Sequence, residues 1–392
     1  MLSSKISKIT PSFTIGISTK VNELKAQGED IINLSIGEPD FPTPVNARIA
    51  AVIAINKNKT KYDAASGLKD LRNAIKNKLE VENQLSYDID QIVVSSGAKH
   101  AITNTLIALT DHGDEVIIPA PYWVSYPEMV KLTGGTPVVV NTKKENGFKL
   151  TAEELKASIT EKTKLLFITN PSNPTGSLYS KDELIEIVNV CIENNIYILA
   201  DEIYEKIRYV DEFVSIASLS EKAKEITITI NGLSKSAAMT GWRIGYTASN
   251  KEIAKAIASL QGHLVSHPST ISQYASVAAL TECHHEMKTM VHQYEYRKNE
   301  AVKILDQISG LDYIKPEGAF YLFMDISSYK EKLQYEDSYS IAFCDMLLEK
   351  FKCAAVPGIA FGNDDFIRIS YATDIESLKE GLNRLKSMIE SL

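Results

Sequence analysis

Thr227-Ile-Thr-Ile-Asn-Gly-Leu-Ser-Lys-Ser-Ala-Ala-Met-Thr-Gly-Trp-Arg-Ile-Gly-Tyr246 is the stretch whose reading decides the fold. Its β-branched start predicts a strand, and that strand delivers a single lysine, Lys235, into a loop of small residues. A lysine just past a buried strand, among small neighbours, is poorly hydrated and can become a nucleophile. Arg243 follows between Gly241 and Gly245, and its guanidinium suits an anion such as phosphate. A strand-end lysine beside an anion site directs attention to the other strand ends.

Upstream, residues 196–200 form a continuous apolar run typical of a buried parallel strand. Asp201 ends that run, with Glu202 next and Tyr204 close behind. A carboxylate there is costly without a cation or donor, so Asp201 pairs with a protein group or with a ligand. Residues 164–169 read as a strand entering Asn170-Pro-Ser-Asn-Pro-Thr-Gly176, a fixed loop able to aim Asn173. The strand at 115–119 ends at Pro121-Tyr-Trp-Val-Ser-Tyr-Pro127, placing Trp123 where α/β sheets hold ligands or simply in the core. Residues 91–95 lead through Ser96-Gly-Ala-Lys-His100 into the helix 101–109; the amides of Gly97, Ala98 and Lys99 there make a candidate anion site. With a short strand at 137–140 and a helix at 181–194, the alternation predicts a mostly parallel, helix-covered α/β sheet.

Residues 1–10 read as an arm or short helix, 15–27 as an amphipathic helix and 31–35 as a short strand. The strand enters Gly37-Glu-Pro-Asp-Phe-Pro-Thr-Pro44, where Gly37 either forms a turn or admits a ligand to the backbone. Tyr62 falls in a loop between helices at 45–58 and 68–82. Beyond the lysine loop come a helix at 251–260, a polar loop at 261–270 bearing His263 and His267, and one long helix to about 308. Tyr294, Tyr296, Arg297 and Lys298 on that helix are expected on a solvated face. Strands at 318–325 and 366–371 flank a helix at 339–349, and a last helix spans 375–392. Arg368, alternating with Ile367 and Ile369, is either an ion-pair partner or a fork for a carboxylate.

The chain has 392 residues, 44% hydrophobic and 23% charged, which accommodates two domains. A net charge of -8 argues against nucleic acid or an anionic membrane as a partner. Cys191, Cys283, Cys344 and Cys353 are scattered without CxxC spacing, and adjacent His284 and His285 point in different directions on a helix. Neither pattern suggests a metal site. No apolar run approaches a membrane span and no signal-peptide core is seen, so a cytoplasmic location is expected. Neither GxxxxGK[ST] nor GxGxxG follows an early strand, which removes P-loop and Rossmann nucleotide readings.

GEPDFPTP, YWVSYPEM, NPSNPTG, DEIYE and SKSAAMTGWRIGY occur here in one order. In that order and approximate spacing the chain resembles the fold-type I pyridoxal-phosphate aminotransferases, over nearly its whole length. The details are most similar to the bacterial class I branch that includes aspartate and prephenate aminotransferases. The resemblance implies an α/β large domain with a seven-stranded-type sheet at 41–285, and a smaller α+β domain at 286–392. Residues 1–40 would supply an arm and part of the small domain.

The resemblance also implies roles. Lys235 would carry the cofactor as a Schiff base and shuttle a proton. Asp201 would hold the pyridine nitrogen protonated. Tyr204 and Asn173 would hydrogen-bond the ring oxygen, and Trp123 would stack on the ring. Gly97, Ala98, Lys99 and Arg243 would hold the phosphate, joined by Tyr62 from a second subunit in a homodimer with shared sites. Arg368 would fork onto the substrate α-carboxylate, Gly37 would lie against substrate, and the segment near Thr14 would cover the site. The expected reaction passes an amino group from an amino acid, L-aspartate in this branch, to 2-oxoglutarate by a ping-pong route. Aromatic or prephenate transamination is the alternative.

Departures bear on this. Gly97 stands where relatives often have serine, and Gly232 where some have another serine that Ser234 would replace. No arginine in 261–270 offers a cation for a distal carboxylate, leaving His267 or Lys99. Regulators that keep the fold usually carry a fused DNA-binding domain, for which the chain has no room, and the intact set of Lys235, Asp201, Tyr204 and Arg368 also favours an enzyme.

Overall fold

A computed structural model describes residues 6–10 and 13–392. Part of the expected arm, and the Pro11-Ser12 break after it, lie outside the described residues. In chain order the strands are β1 (Ile32–Asn33), β2 (Ile92–Ser95), β3 (Glu115–Ala120), β4 (Thr136–Asn141), β5 (Thr163–Thr169), β6 (Tyr197–Asp201), β7 (Thr227–Gly232), β8 (Gly245–Ala248), β9 (Asp312–Ile314), β10 (Tyr321–Asp325), β11 (Cys353–Ala354), β12 (Val356–Pro357) and β13 (Phe366–Ser370).

Seven of these make one sheet in the order β2-β8-β7-β6-β5-β3-β4. Pairing is parallel from β4 across to β7, whereas β8 runs antiparallel to β7 and to β2. The continuous apolar runs follow from burial on both faces. Leu165 and Phe167 of β5 join one core with Leu199, while Leu166 and Ile168 join the opposite core with Ile198 and Ala200. Helices cover both sides, as alternating strands and helices require. Two antiparallel steps return β2 to the direction of β7. The carboxyl ends of β2, β3, β5, β6 and β7 therefore emerge along one edge, the place where open α/β sheets bind ligands.

A second sheet, β12-β13-β10-β9, is antiparallel. Its register sets Arg368 opposite Phe323 and Ser370 opposite Tyr321. Parallel pairing of β1 with β11 ties the start of the chain to this smaller unit. No helix among the described residues is long and apolar enough to cross a membrane.

Three expectations fail in the second half. The polar loop expected from residue 261 is still helix: Lys251–Leu264 carries Ile253, Ile257 and Gln261 on its buried face. Gln261 tolerates that position because its amide is fully used. Its Oε1 accepts from Ser95 at 2.6 Å and Asn104 at 3.2 Å, while its Nε2 donates to the carbonyls of Ala65 and Val94. The single long helix is two, Thr270–Glu282 and His284–Leu305, broken at Cys283. Tyr294, Arg297 and Lys298 are buried rather than solvated; only Tyr296 of that set is exposed. Arg297 enters the interior because Asp40 meets it with both carboxylate oxygens, at 2.7 and 2.8 Å. Lys298 lies over the Tyr209 ring at 4.4 Å.

Candidate active site

β6 places Asp201 at its carboxyl end, 4% exposed. Tyr126 donates to its Oδ2 at 2.7 Å, and the Ile203 amide donates to Oδ1 at 3.2 Å. Burial pushes the carboxyl up to about 6, while both hydrogen bonds and the charge of Lys235 pull it down. No cation lies within ion-pair distance of Asp201 among the described residues. Lys235 follows β7 and its Nζ donates to the Gly37 carbonyl at 2.5 Å. Burial lowers this amine to about 8, and Arg368 and Arg243 add to the lowering, against the charges of Glu38 and Asp201.

The end of β2 makes the anion site. Gly97 caps the helix Ala98–Leu109 at φ 90°, with no side chain capping it, so amides of the first turn remain available. Gly97 contributes room rather than a donor: its own amide is taken by the Ser95 carbonyl at 2.7 Å. A Cβ there would sit 2.5 Å from an Arg243 guanidinium nitrogen. Gly245 is needed for the same packing, because a Cβ would fall 2.3 Å from the Ala98 nitrogen. Arg243 itself takes a left-handed φ of 57° and donates to the Thr240 carbonyl at 2.8 Å. Lys99 lies with its Nζ 4.8 Å from the centroid of the Trp123 ring, and burial and Arg243 lower its pKa.

Across the cleft, Arg368 on β13 is 2% exposed. It donates to Asn173 Oδ1 and to the Ser35 carbonyl, both at 3.0 Å, and stacks on Tyr321 at 4.3 Å. Its Nε has no partner, and no carboxylate pairs with it among the described residues. Arg368 is thus a buried cation without an ion-pair partner among the described residues. Gly37 faces Tyr321 and Arg368; a Cβ on it would lie 2.9 Å from the Tyr321 hydroxyl.

Tyr204 hydrogen-bonds Tyr321, hydroxyl to hydroxyl, at 2.7 Å. Lys235, Asp201, Tyr204, Asn173, Arg368 and Gly37 are thus linked by direct contact or charge, and Gly97, Ala98, Lys99, Arg243 and Trp123 form the adjoining wall. Tyr62 points elsewhere, 88% exposed, with His267 edge-on at 5.8 Å. Two contributors went unread in the sequence. Tyr126 lay within a quoted motif, but nothing local marks a helix-start tyrosine as a partner for Asp201. Tyr321 lay in a strand buried on every side, where no alternation singles it out.

These donors fit pyridoxal phosphate. A depressed amine suits its carbonyl, a buried carboxylate without a cation suits its ring nitrogen, and an uncapped helix start beside Arg243 suits its phosphate.

Comparison with known proteins points the same way. The family model described as "Aminotransferase class I and II" matches residues 29–385. The probable aspartate/prephenate aminotransferase of Aquifex aeolicus is 45% identical over 394 residues, covering 100% of this chain and 99% of its own. The aspartate aminotransferase of Bacillus subtilis is 45% identical over 390 residues, covering 99% of each. Among solved structures, the Rhizobium meliloti aspartate aminotransferase superposes with a TM-score of 0.95 at 40% identity, covering 100% of this chain and 99% of its own.

Proposed function

Because the chain belongs to the class I and II aminotransferases, we propose that it is a pyridoxal-phosphate transaminase that takes L-aspartate as donor and 2-oxoglutarate as acceptor in ping-pong order. The observation that carries this reading is Arg368, a buried guanidinium with an unpartnered Nε and no carboxylate, on the same cleft as a lysine lowered to about 8. A buried cation without a counter-ion is costly, and a substrate α-carboxylate removes the cost. When bound, the cofactor supplies an electron sink for the substrate Cα.

The chain's residues do the rest. Lys235, partly unprotonated near neutral pH, takes the Cα proton and later returns it. Asp201, accepting from Tyr126, would pair with the ring nitrogen of the cofactor. The amides of Ala98 and Lys99, with the room left at Gly97, and Arg243 would hold its phosphate. Trp123 would back the ring, and Asn173 and Tyr204 would hydrogen-bond its oxygen. Lys99 has no carboxylate partner among the described residues and is our candidate cation for the distal carboxylate of aspartate.

A homodimer is part of the proposal. The helix Val45–Asn56 exposes Val45, Ile49, Val52 and Ile53, an apolar stripe suited to a second copy, with Tyr62 exposed in the loop beyond it. We keep the division at 1–40, 41–285 and 286–392 and a cytosolic location; four buried, free cysteines fit a reducing compartment.

The test is the visible spectrum of protein loaded with pyridoxal phosphate, against single amino acids. Bleaching by aspartate and glutamate but not by aromatic amino acids supports the proposal. Loss of the amino group to prephenate in preference to 2-oxoglutarate moves the assignment to the alternative. Turnover retained in Lys235→Ala sinks the mechanism.

A further inference from the structure

We propose that Tyr321 is a positioning residue that couples the carboxylate-binding arginine to the ring-oxygen contact, its ring serving Arg368 and its hydroxyl serving Tyr204. This rests on the transaminase reading above. The strand register creates the arrangement. Tyr321 sits opposite Ser370 and Phe323 opposite Arg368, so Tyr321 and Arg368 are diagonal neighbours on one face of the small sheet. That diagonal brings the guanidinium to 4.3 Å from the Tyr321 ring centroid, a contact worth more in a desolvated site than at a surface.

The hydroxyl has a separate task. Tyr204 and Tyr321 are buried, and among the described residues each hydroxyl hydrogen-bonds only the other, at 2.7 Å. Two hydroxyls carry two protons, and only one lies between the oxygens. The second proton is a free donor, available to a ligand oxygen in the cleft. When Tyr204 spends its proton on the cofactor's ring oxygen, Tyr321 donates to Tyr204, and the chain of donors polarises in one direction. Gly37 leaves the room that Tyr321 occupies, since a Cβ would meet its hydroxyl at 2.9 Å. The Gly37 carbonyl also receives Lys235. One tyrosine therefore touches the glycine behind the lysine, the ring-oxygen tyrosine and the carboxylate arginine.

The two halves of Tyr321 can be removed separately. Tyr321→Phe keeps the ring and loses the hydroxyl. Its apoprotein should bind pyridoxal phosphate about threefold to tenfold more weakly, the effect of one neutral hydrogen bond. The loaded enzyme should bind succinate, an unreactive dicarboxylate, within about twofold of wild type, since the cation–π contact is intact. Tyr321→Leu should lose cofactor affinity equally and also weaken succinate binding by about threefold to tenfold. In a Tyr204→Phe background, adding Tyr321→Phe should change cofactor affinity by less than about twofold, because the relay is already cut.

Additive losses in that cycle, or unchanged succinate binding in Tyr321→Leu, overturn the proposal. If Tyr321→Leu fails to fold by circular dichroism, the cycle of Phe variants decides alone. Wild-type apoprotein that takes up no cofactor overturns the transaminase reading itself; normal uptake with additive variants overturns only the role of Tyr321.

Discussion

Two arginines are buried at similar depth, Arg297 at 8% and Arg368 at 2% exposure. Each lies over two aromatic rings: Arg297 over Phe41 and Tyr294, Arg368 over Tyr321 and Phe361. The difference is the anion. Asp40 forks onto Arg297 with both oxygens, whereas Arg368 meets a neutral amide oxygen and a backbone carbonyl and leaves Nε unpaired. The first arginine is complete within the chain and holds the loop after Gly37 to the helix His284–Leu305. The second has no such anion among the described residues, which is why the proposed function gives it a substrate carboxylate. A buried charge that the fold itself satisfies marks structure, and one it leaves unsatisfied marks a binding site.

The same contrast divides the Asp201–Glu205 segment. Glu205 is closed off by Lys78 and Asn83, all three buried. Asp201, one residue before Glu202, receives a tyrosine and an amide but no cation. Glu202, with only Ser215 and the Ile216 amide, also meets no cation, and burial pushes its carboxyl up to about 8; what sets Asp201 apart is the nearby charge of Lys235, which lowers it.

The contrast breaks most sharply at the arginines. Arg368→Ala should lower kcat/KM for aspartate by about 100-fold to 10,000-fold, the cost of stranding a carboxylate without its buried partner. The melting temperature of the apoprotein should hold or rise, because an uncompensated buried cation has gone. Arg297→Ala should do the reverse, costing about 2–3 kcal/mol of stability, near the lower end for a buried pair because Asp40 keeps some exposure. Adding Asp40→Ala should cost little more, since the pair acts as a unit. Thermal melts and steady-state kinetics on the same four proteins check both. An unstable Arg368→Ala apoprotein with normal kcat/KM would refute the distinction.

Asp201 sharpens the contrast through pH. Its carboxyl is held at about 6 by burial, above the ordinary 3.8. The stability of the protonated form is complete below about pH 3.8 and is lost as pH rises through about 6. At pH 7 the apoprotein bears the whole cost, about 3 kcal/mol at 1.36 kcal/mol per pH unit. Asp201→Asn apoprotein should therefore be the more stable at pH 7 by about 2–3 kcal/mol, with the advantage fading as pH falls from about 6 and gone below about pH 4, in denaturant titrations. Loaded with cofactor, the same variant should lose turnover, as the ring nitrogen loses its counter-charge.

Much of this site could be read in the sequence because its chemistry is packed into short segments at strand ends. Lys235 and Arg243 share one loop, and Asp201 and Tyr204 one turn. The sheet was legible for the same reason, since β5 and β6 are built on continuous apolar runs at 165–168 and 198–200. What stayed hidden depends on distant partners. Arg297 sits on a helix with polar neighbours, and only Asp40, far away in the chain, explains its burial. Gln261 reads as the start of a polar loop until its four partners are seen. Tyr321 gains its role from strand register, which no local pattern of side chains encodes.

The smallest effect tests the least complete pairing. Glu38 lies on the rim, accepts from Thr240 at 2.9 Å, and is the largest influence raising the pKa of Lys235. It is exposed and forms no ion pair with the lysine, so it biases the amine without neutralising it. Cofactor uptake by the apoprotein needs the unprotonated amine, so its rate should climb with pH to a midpoint near 8 rather than the ordinary 10.5. Removing a nearby negative charge disfavours the ammonium, so Glu38→Gln should move the midpoint down. The shift should be about 0.2–0.7 of a pH unit, an exposed pair's 0.2–1 kcal/mol taken at 1.36 kcal/mol per unit, and it should shrink in high salt. Stopped-flow uptake rates across pH 6–10 measure it. A downward shift that vanishes in salt means that Lys235 is set by burial and only trimmed by the rim; a shift of several units means that Glu38 is its true counter-ion, and Lys235 then belongs with Arg297 rather than with Arg368.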